Sequence, residues 1–439
     1  MLSYGLRYEY SLAPIESQNR QSYFDLSTGK QVYAGDGIRR SIIKPDYTNL
    51  APRVGFSWSP SFLRNTVLRG GFGVYYATDN LNELQLSIVG SKYYEVQTIN
   101  SDPTTPTLSM NNMLPSLATS LNTDPFTLDP NSRTPYYEQW GLDIQRVVGG
   151  KYLFELEYAG GVGKDLPQRR NANVATIDPT GTIPIVDRVP YPNFGFILQS
   201  WNEGASNLNA LTAKVERRYQ NGFSFLGSLT WENAIDQGIT DDFSAESQNF
   251  RLYDRGHSDY DVLVRFVLSG VYELPFGTGK TFLGGASQPL NYLVGGWQLN
   301  TITTLTAGQY GQVTLPTDWL NIGAFSQSRP NVDWSLVTKG RTLPTQYLNP
   351  AAFTYPTTHI EGNVGRNTIA LPGYGNIDFS LFKSAKIYRG SIFQLRFEFF
   401  NVLNHTQFNG PNGSLGSGFG QITSTRAPRI IQLGGRIQW

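Results

Sequence analysis

Apolar and polar residues alternate with a period of two along the whole chain, and this pattern limits the fold more than any other feature. Successive side chains of a β-strand point to opposite faces, so each alternating segment is predicted to be a strand with one apolar and one polar face. Segment 260–274 is less regular, since Leu263, Val267 and Val271 fall on its polar face. The alternating segments lie near residues 1–10, 51–59, 65–76, 136–147, 150–159, 207–218, 222–235, 260–274, 295–306, 374–386, 391–404 and 429–439.

The connections between these segments alternate between short and long. Short ones lie at 60–65, 148–150, 220–221 and 388–390, and a longer turn at 275–294 keeps the alternation. Transmembrane barrels have short periplasmic turns and long external loops, whereas a soluble β-sandwich has no reason to sort its loops in this way. The sequence therefore predicts an all-β, antiparallel outer-membrane β-barrel of about twelve strands. Its long extracellular loops are predicted at 11–50, 77–135, 160–206, 236–259, 307–373 and 405–428.

The last segment supports this prediction. Ile431, Leu433, Ile437 and Trp439 share one face, while Gln and Arg residues lie between them on the other. A final strand that ends on an aromatic residue is typical of an outer-membrane barrel, where Trp439 would lie in the interfacial aromatic girdle. We expect these four residues to contact outer-membrane lipid and to be recognised by the barrel-assembly machinery.

Composition excludes several other classes of protein. No stretch approaches the roughly 18 consecutive apolar residues of a membrane-spanning helix. The 35 basic and 34 acidic residues give a net charge of +1, which offers no concentrated basic face for nucleic acid. The absence of cysteine excludes disulfides and thiolate metal sites. Because Met1 leads directly into an alternating segment, we expect the barrel to be incomplete at its N-terminus.

Two local motifs resemble ligand sites. Gly277-Thr-Gly-Lys-Thr281 resembles the end of a phosphate-binding loop, but Leu274 stands where that motif needs its first glycine, which favours a plain turn. A second segment contains Asp254, His257, Asp259 and Asp261, whose side chains are typical ligands of Ca²⁺ or a transition metal. A solvated loop edge is the preferred interpretation, both there and at Asp241-Asp242. We predict no metal and no cofactor.

The sequence contains no recognisable catalytic group. Glu155 and Glu157 share one face of a strand and are predicted to be ordinary lumen carboxylates, while His359 and His405 lie alone in loops and are expected to face solvent. The chain is therefore not predicted to be an enzyme. The aromatic side chains of the loops either stack on a sugar ring or another ligand or pack the loops together, and packing is the preferred interpretation. The residues concerned are Tyr191, Trp201, Tyr310, Trp319 and Trp334.

From about residue 47 to the C-terminus, the chain resembles the barrel of Oar-like TonB-dependent outer-membrane receptors. The segments that carry the resemblance include Asn49-Leu-Ala-Pro-Arg-Val-Gly-Phe-Ser-Trp58, Leu68-Arg-Gly-Gly-Phe-Gly-Val-Tyr-Tyr76, Gly222-Phe-Ser-Phe-Leu-Gly-Ser-Leu-Thr-Trp231, Gly295-Gly-Trp-Gln-Leu-Asn300 and Phe399-Phe-Asn-Val-Leu-Asn-His405. The combination of Phe-Asn-Val-Leu-Asn-His with the terminal strand is the more specific part. The family's motifs mark strands and turns, so they assign no substrate residues.

The resemblance implies a 22-stranded barrel closed by an N-terminal plug and energised by the TonB complex. Residues 1–439 would then be the C-terminal part of the barrel domain, without signal peptide, TonB box or plug. The implied function is energy-coupled uptake of a bulky solute such as an oligosaccharide, a peptide or a chelate. Two alternatives stay open at this point, namely a passive porin-like channel and a surface adhesin or structural outer-membrane protein.

Overall fold

A computed structural model describes residues 1–77, 85–88, 125–238, 253–323 and 328–439 of the chain. Strands dominate these residues. In chain order they are β1 (Leu2–Tyr8), β2 (Ser22–Asp25), β3 (Lys30–Tyr33), β4 (Leu50–Trp58), β5 (Thr66–Tyr76), β6 (Phe126–Leu128), β7 (Tyr136–Val148), β8 (Tyr152–Asn171), β9 (Leu198–Gln220), β10 (Phe223–Asp236), β11 (Gly256–His257), β12 (Val264–Glu273), β13 (Trp297–Thr306), β14 (Tyr310–Gly311), β15 (Asn331–Val332), β16 (Phe353–Thr354), β17 (Ile369–Ala370), β18 (Tyr374–Lys386), β19 (Ile392–Phe400) and β20 (Ile430–Gln438).

Twelve of these strands form one antiparallel sheet, which we call the wall. Its order is β1-β4-β5-β7-β8-β9-β10-β12-β13-β18-β19-β20, so each strand pairs with the wall strands before and after it in the chain. The short strands β6 and β11 join the wall at β9 and β10, while β2-β3, β14-β17 and β15-β16 form separate ladders. In the described residues β1 and β20 each pair with one wall strand, and the sheet is not closed.

The two faces of the wall differ in chemistry, as the alternation predicts. One lateral row runs through Ile144, Leu156, Ala213, Leu229 and Phe266, which are direct neighbours across five strands. The next row belongs to the opposite face, and its neighbours are Asp143, Glu157, Thr212, Thr230 and Arg265. In a transmembrane barrel the apolar face meets lipid and the polar face lines the interior.

Short turns occupy one end of the wall and long loops the other. We name the long loops L1 (9–49), L2 (described at 77, 85–88 and 125–135), L3 (172–197), L4 (described at 237–238 and 253–263), L5 (described at 307–323 and 328–373) and L6 (401–429), and their described parts together are the outer loops. The longest turn, between β12 and β13, carries the helix α1 (Gln288–Val294), and three-residue 3₁₀ helices lie at Ile185–Asp187, Pro350–Ala352 and Tyr388–Gly390. None of the helices found in the described residues has the length and apolarity needed to cross a membrane.

The predicted positions of the wall strands are confirmed to within a few residues, with one large exception. The β8–β9 hairpin continues to Asn171 and resumes at Leu198, although 160–206 was predicted to be a loop. Alternation fades there, since both faces of a hairpin that extends beyond the bilayer meet water or loops and neither has to be apolar. Two smaller differences concern strand ends. β12 begins at Val264, although its segment was predicted to begin at residue 260, and β19 ends at Phe400, although its segment was predicted to end at residue 404.

The turn predicted for the Gly-Lys-Thr motif is also confirmed. Gly277 and Gly279 have φ angles of +108° and +75°, in the region that favours glycine. The backbone N–H of Lys280 donates to the carbonyl oxygen of Gly277 at 3.0 Å. The motif therefore closes a turn between β12 and α1 and does not form a phosphate-binding loop.

Candidate functional site

The outer loops pack against one another around buried apolar side chains. L1 and L2 share a cluster that includes Ile42 and Phe126, and L3 and L5 share one that includes Ala175 and Leu320. These clusters make the outer loops a packed layer with cores of its own, which we call the outer layer. L5 and L6 share a further cluster, composed of Val313, Val337, Tyr347, Leu348, Ala352, Phe353, Val364, Ile369, Phe419 and Ile422.

Ion pairs connect L4 to L5. The Arg329 guanidinium lies 2.5 Å from the Asp254 carboxylate, and these side chains are only 4% and 1% exposed. Arg366 approaches Asp236, at the end of β10, to 2.6 Å. Removal of one member of a buried pair leaves the other charge uncompensated, so such contacts hold a loop in one position.

The sequence indicates a possible cation site at Asp254, His257, Asp259 and Asp261. In the structure, these side chains contact other groups of the protein. His257 Nδ1 lies 2.6 Å from Asp261 Oδ2, and the imidazole stacks on Tyr310 with 3.6 Å between ring centroids. Asp259 accepts a hydrogen bond of 2.6 Å from the Asn367 amide. Burial raises the pKa of Tyr310, and the nearby Asp261 carboxylate raises it further.

The preferred interpretation of that cluster as a solvated loop edge is wrong for Asp254 and Asp261, which are both fully buried. Their environment includes L5 residues such as Arg329, which lies too far along the sequence for a local pattern to reveal it. Among the described residues, no group of three or more His, Asp or Glu side chains is arranged to hold a metal ion. Asp241 and Asp242 lie outside the described residues.

Tyr191 packs between two loops, whereas Trp201 lies on β9 and not in a loop as predicted. Tyr191 meets Phe24 edge to face at 5.1 Å between centroids, and its hydroxyl donates to the carbonyl oxygen of Leu26, which ties L3 to L1. Trp201 is 5% exposed, and the Arg170 guanidinium lies 4.6 Å from its ring centroid. Trp201 therefore has little free face for a ligand, whereas Tyr191 is half-buried.

Trp319 belongs to a small aromatic group at the surface of L5. Its indole N–H donates to the carbonyl oxygen of Thr358 at 3.2 Å, and its ring lies 4.9 Å from both Tyr355 and His359. His359 is therefore half-buried against Trp319, contrary to the expectation that it faces solvent, whereas His405 is exposed as expected.

The five predicted aromatic residues thus do not form one site. Trp334 is 53% exposed and stands apart, while Tyr310 and Trp319 contact histidines of L4 and L5. Sequence reasoning missed Tyr355 as a neighbour of Trp319, because no local spacing relates them. Ligand binding by these aromatic residues stays a prediction.

The interior face of the wall carries a chain of polar contacts. The Arg69 guanidinium lies 3.7 Å from the Asp143 carboxylate and donates to the Gln145 amide oxygen at 2.9 Å. Gln145 donates to Glu155 at 3.2 Å, and Lys214 lies 3.5 Å from that same carboxylate. Glu155 is therefore a member of a charge-balanced row, which agrees with its prediction as a lumen carboxylate.

The C-terminal strand presents its apolar residues on the predicted face. Ile431, Leu433 and Ile437 are 58%, 69% and 54% exposed on β20, and Trp439 directly after it is 97% exposed. Direct partners of Leu433 and Ile437 on β19 are Phe397 and Phe393, so the row continues across strands. Recognition of this strand by the barrel-assembly machinery stays a prediction.

A comparison with a solved structure agrees with this architecture. The outer membrane transporter YddB from Escherichia coli superimposes with a TM-score of 0.52 at 9% identity, over 90% of this chain and 41% of the transporter. The FrpB iron transporter (F3-3 variant) from Neisseria meningitidis gives a TM-score of 0.42 at 10% identity, over 93% of this chain and 40% of that protein. This chain thus spans less than half the length of either transporter, and the likeness to YddB shows a shared fold.

Sequence comparison supplies the family. No curated protein matches this chain. The family model described as an outer membrane beta barrel domain matches residues 1–432, which is nearly the whole chain. The wall has the apolar rows on one face, the short turns and the long loops that a bilayer-spanning sheet requires. The chain belongs to the outer membrane beta barrel domain family and is an integral protein of the outer membrane.

Proposed function

We propose that this chain is the C-terminal part of the barrel of an Oar-like TonB-dependent transporter that takes up a bulky solute. The outer layer would capture an oligosaccharide, a peptide or a chelate, and a plug energised by the TonB complex would admit it. This is a binding and transport function without an enzymatic step. Outer-membrane lipid surrounds the wall in this proposal.

The observation that carries the proposal is the packed outer layer above one end of the wall. Leu348 and Val364 are 1% and 2% exposed there, at values usual for the core of a soluble domain. Loops with a core hold their surface groups in fixed positions, which lowers the entropic cost of binding a solute. A channel for small solutes has no need of such a preformed surface. The fold likeness to a transporter adds support.

The two edges of the wall also support a larger barrel. In hydrocarbon, unpaired backbone N–H and C=O groups of an edge strand cost several kcal/mol each. The edges of β1 and β20 that lack a partner among the described residues therefore have to pair within the membrane. We propose that they pair with further strands of the same barrel.

The test compares cells with and without the full gene for accumulation of labelled oligosaccharides, peptides and ferric chelates. We expect loss of one solute on deletion, and loss of the same uptake when a protonophore removes the energy supplied to TonB. Uptake that is insensitive to the protonophore, together with swelling of protein-containing liposomes in small sugars, would instead establish a passive channel. Unchanged accumulation of every solute, with reduced cell adhesion, would establish an adhesin.

A further inference from the structure

A cavity of about 530 Å³ lies on the interior face of the wall, directly beneath L5 and L6. Its floor includes Arg265, Thr306 and Tyr374, which are lateral neighbours on β12, β13 and β18. L6 contributes Phe408 and Arg426 to its rim. This size is within the roughly 300–1,000 Å³ of small-molecule sites.

The cavity is positively charged. Its charged lining residues are Arg265 and Arg426, and within the described part of the chain the lining contains no Asp or Glu. Both arginine side chains are exposed to the cavity and its solvent. Glu232 on the adjacent β10 acts on Arg265 electrostatically without forming an ion pair with it. Two arginines that lack a paired carboxylate in the described residues leave their guanidinium donors available to an anion.

Arg426 is held in place by an aromatic ring. Its guanidinium carbon lies 4.6 Å from the centroid of Tyr374, a distance at which the ring attracts the cation. A guanidinium fixed in this way loses less entropy when it binds, and its planar N–H groups match both oxygens of a carboxylate or phosphate. The ring of Phe408 supplies an apolar surface in the same cavity.

The geometry points to a binding site for a solute that carries a carboxylate or phosphate group, with Arg265 and Arg426 as its anion-binding residues. Thr306 would supply a hydroxyl, and Tyr374 and Phe408 would contact the apolar face of the solute. The site lies between the outer layer and the interior, on the route of a solute that enters the barrel. It deepens the proposed function and rests on it, because it makes the transported solute acidic.

The full-length protein, extracted in detergent, is titrated calorimetrically with glucuronate, glucose 6-phosphate and glucose as probes. We expect glucuronate or glucose 6-phosphate to bind and glucose not to bind, and the affinity to fall as salt is added. A comparison of glucuronate with glucose 6-phosphate identifies whether the site accepts a carboxylate or a phosphate. Failure of both acidic probes to bind, or binding of glucose with equal affinity, would overturn the proposal.

Variants then locate the binding. Arg265→Gln and Arg426→Gln should each weaken binding of the acidic probe by about tenfold or more, since hydrogen bonds to charged groups are stronger than neutral ones. Arg429→Gln is the matched control, because this arginine of L6 lies outside the cavity lining and donates to the carbonyl oxygen of Val402. Unchanged binding in the Arg265→Gln/Arg426→Gln double variant, with the heat-modifiable fold retained, would contradict the assignment.

The site and the transport function can fail separately. Arginine-dependent binding of an acidic probe, combined with unchanged accumulation of that labelled probe in a deletion strain, would keep the site and reject transport. Protonophore-sensitive uptake of a neutral solute only, with no acidic probe bound, would keep transport and reject the site.

Discussion

On β20 of the wall, Ile431 and Leu433 are 58% and 69% exposed, whereas in the outer layer Leu348 and Val364 are 1% and 2% exposed. The wall turns apolar side chains outward and relies on lipid to cover them. The outer layer buries its own apolar side chains and needs no lipid. Two regions of one chain therefore follow opposite rules of burial, because one of them meets hydrocarbon and the other meets water.

Charged residues differ between the two regions in the same way. In the wall, the Arg69–Asp143 contact has side chains 51% and 17% exposed to the interior, where solvent weakens the attraction. In the outer layer, Arg329 and Asp254 are nearly inaccessible to water. Substitutions in the outer layer should thus change loop position while the wall stays folded, and substitutions on the apolar face of the wall should act where that face meets lipid.

We expect the largest effect from Arg329→Met, which takes the guanidinium away from the fully buried Asp254. Breaking a buried ion pair costs about 3–5 kcal/mol, here in the free energy that holds L4 against L5. Native-state hydrogen exchange of the 253–262 segment measures that free energy. Arg39→Met, at an exposed arginine of L1, is the control and should change nothing. Equal protection of the segment in both variants would contradict the role of this pair.

A slightly smaller effect is expected from Leu348→Ala in the cluster shared by L5 and L6. The cavity left by the lost side chain should destabilise the outer layer by about 2–5 kcal/mol. Protease cleavage of L5 and L6 should accelerate, while the heat-modifiable wall persists. Leu403→Ala, at a leucine of L6 that is 69% exposed, should leave the cleavage rate unchanged. Simultaneous loss of the wall would show that the two regions do not fold as independently as their burial indicates.

Phe397→Arg tests the wall. Phe397 lies between Leu381 and Leu433 in the apolar row, so the substitution places a charge in lipid. The expected cost is about 2–4 kcal/mol in the free energy of unfolding if the position lies near the midplane. Denaturant unfolding of the full-length protein in lipid vesicles provides the measurement. Gln432→Arg, which faces Glu398 on the interior side, is the control, and an equal penalty there would refute the assigned faces.

The sequence predicted the wall well because hydrocarbon imposes a local rule on every strand. Each segment has to alternate regardless of its neighbours, so twelve separate segments could be recognised one at a time. The rule ends where the bilayer ends, which explains why the extension of β8 to Asn171 was missed.

The outer layer could not be predicted in this way, since its contacts join residues far apart in sequence. Val313 and Phe419 share one cluster, and Asp254 meets Arg329, without any periodicity that relates them. The same holds for the cavity, where Arg265 and Arg426 come from a strand and a distant loop. Aromatic residues such as Tyr191 were recognised by type, but their role in joining L3 to L1 depends on tertiary contacts.

The smallest effect is expected from acidification of L1, where an exposed turn contrasts with the buried pairs of L4 and L5. The Glu16 carboxylate accepts hydrogen bonds from the Arg20 side chain at 2.7 Å and from the backbone N–H groups of Arg20 and Gln18, each at 2.9 Å. These hydrogen bonds lower the pKa of Glu16 from 4.5 to about 2, and the bond from the Arg20 side chain makes the largest contribution. A depressed pKa in the folded state means that the carboxylate stabilises this turn above about pH 4.5, and that the stabilisation is lost as the pH falls through about 2. Hydrogen-exchange protection at Gln18 and Arg20, corrected for intrinsic rates, should therefore decrease across this window and be independent of pH in Glu16→Gln. If both proteins showed the same pH profile, the backbone alone would keep this turn ordered, and the charge of Glu16 would not contribute to its stability.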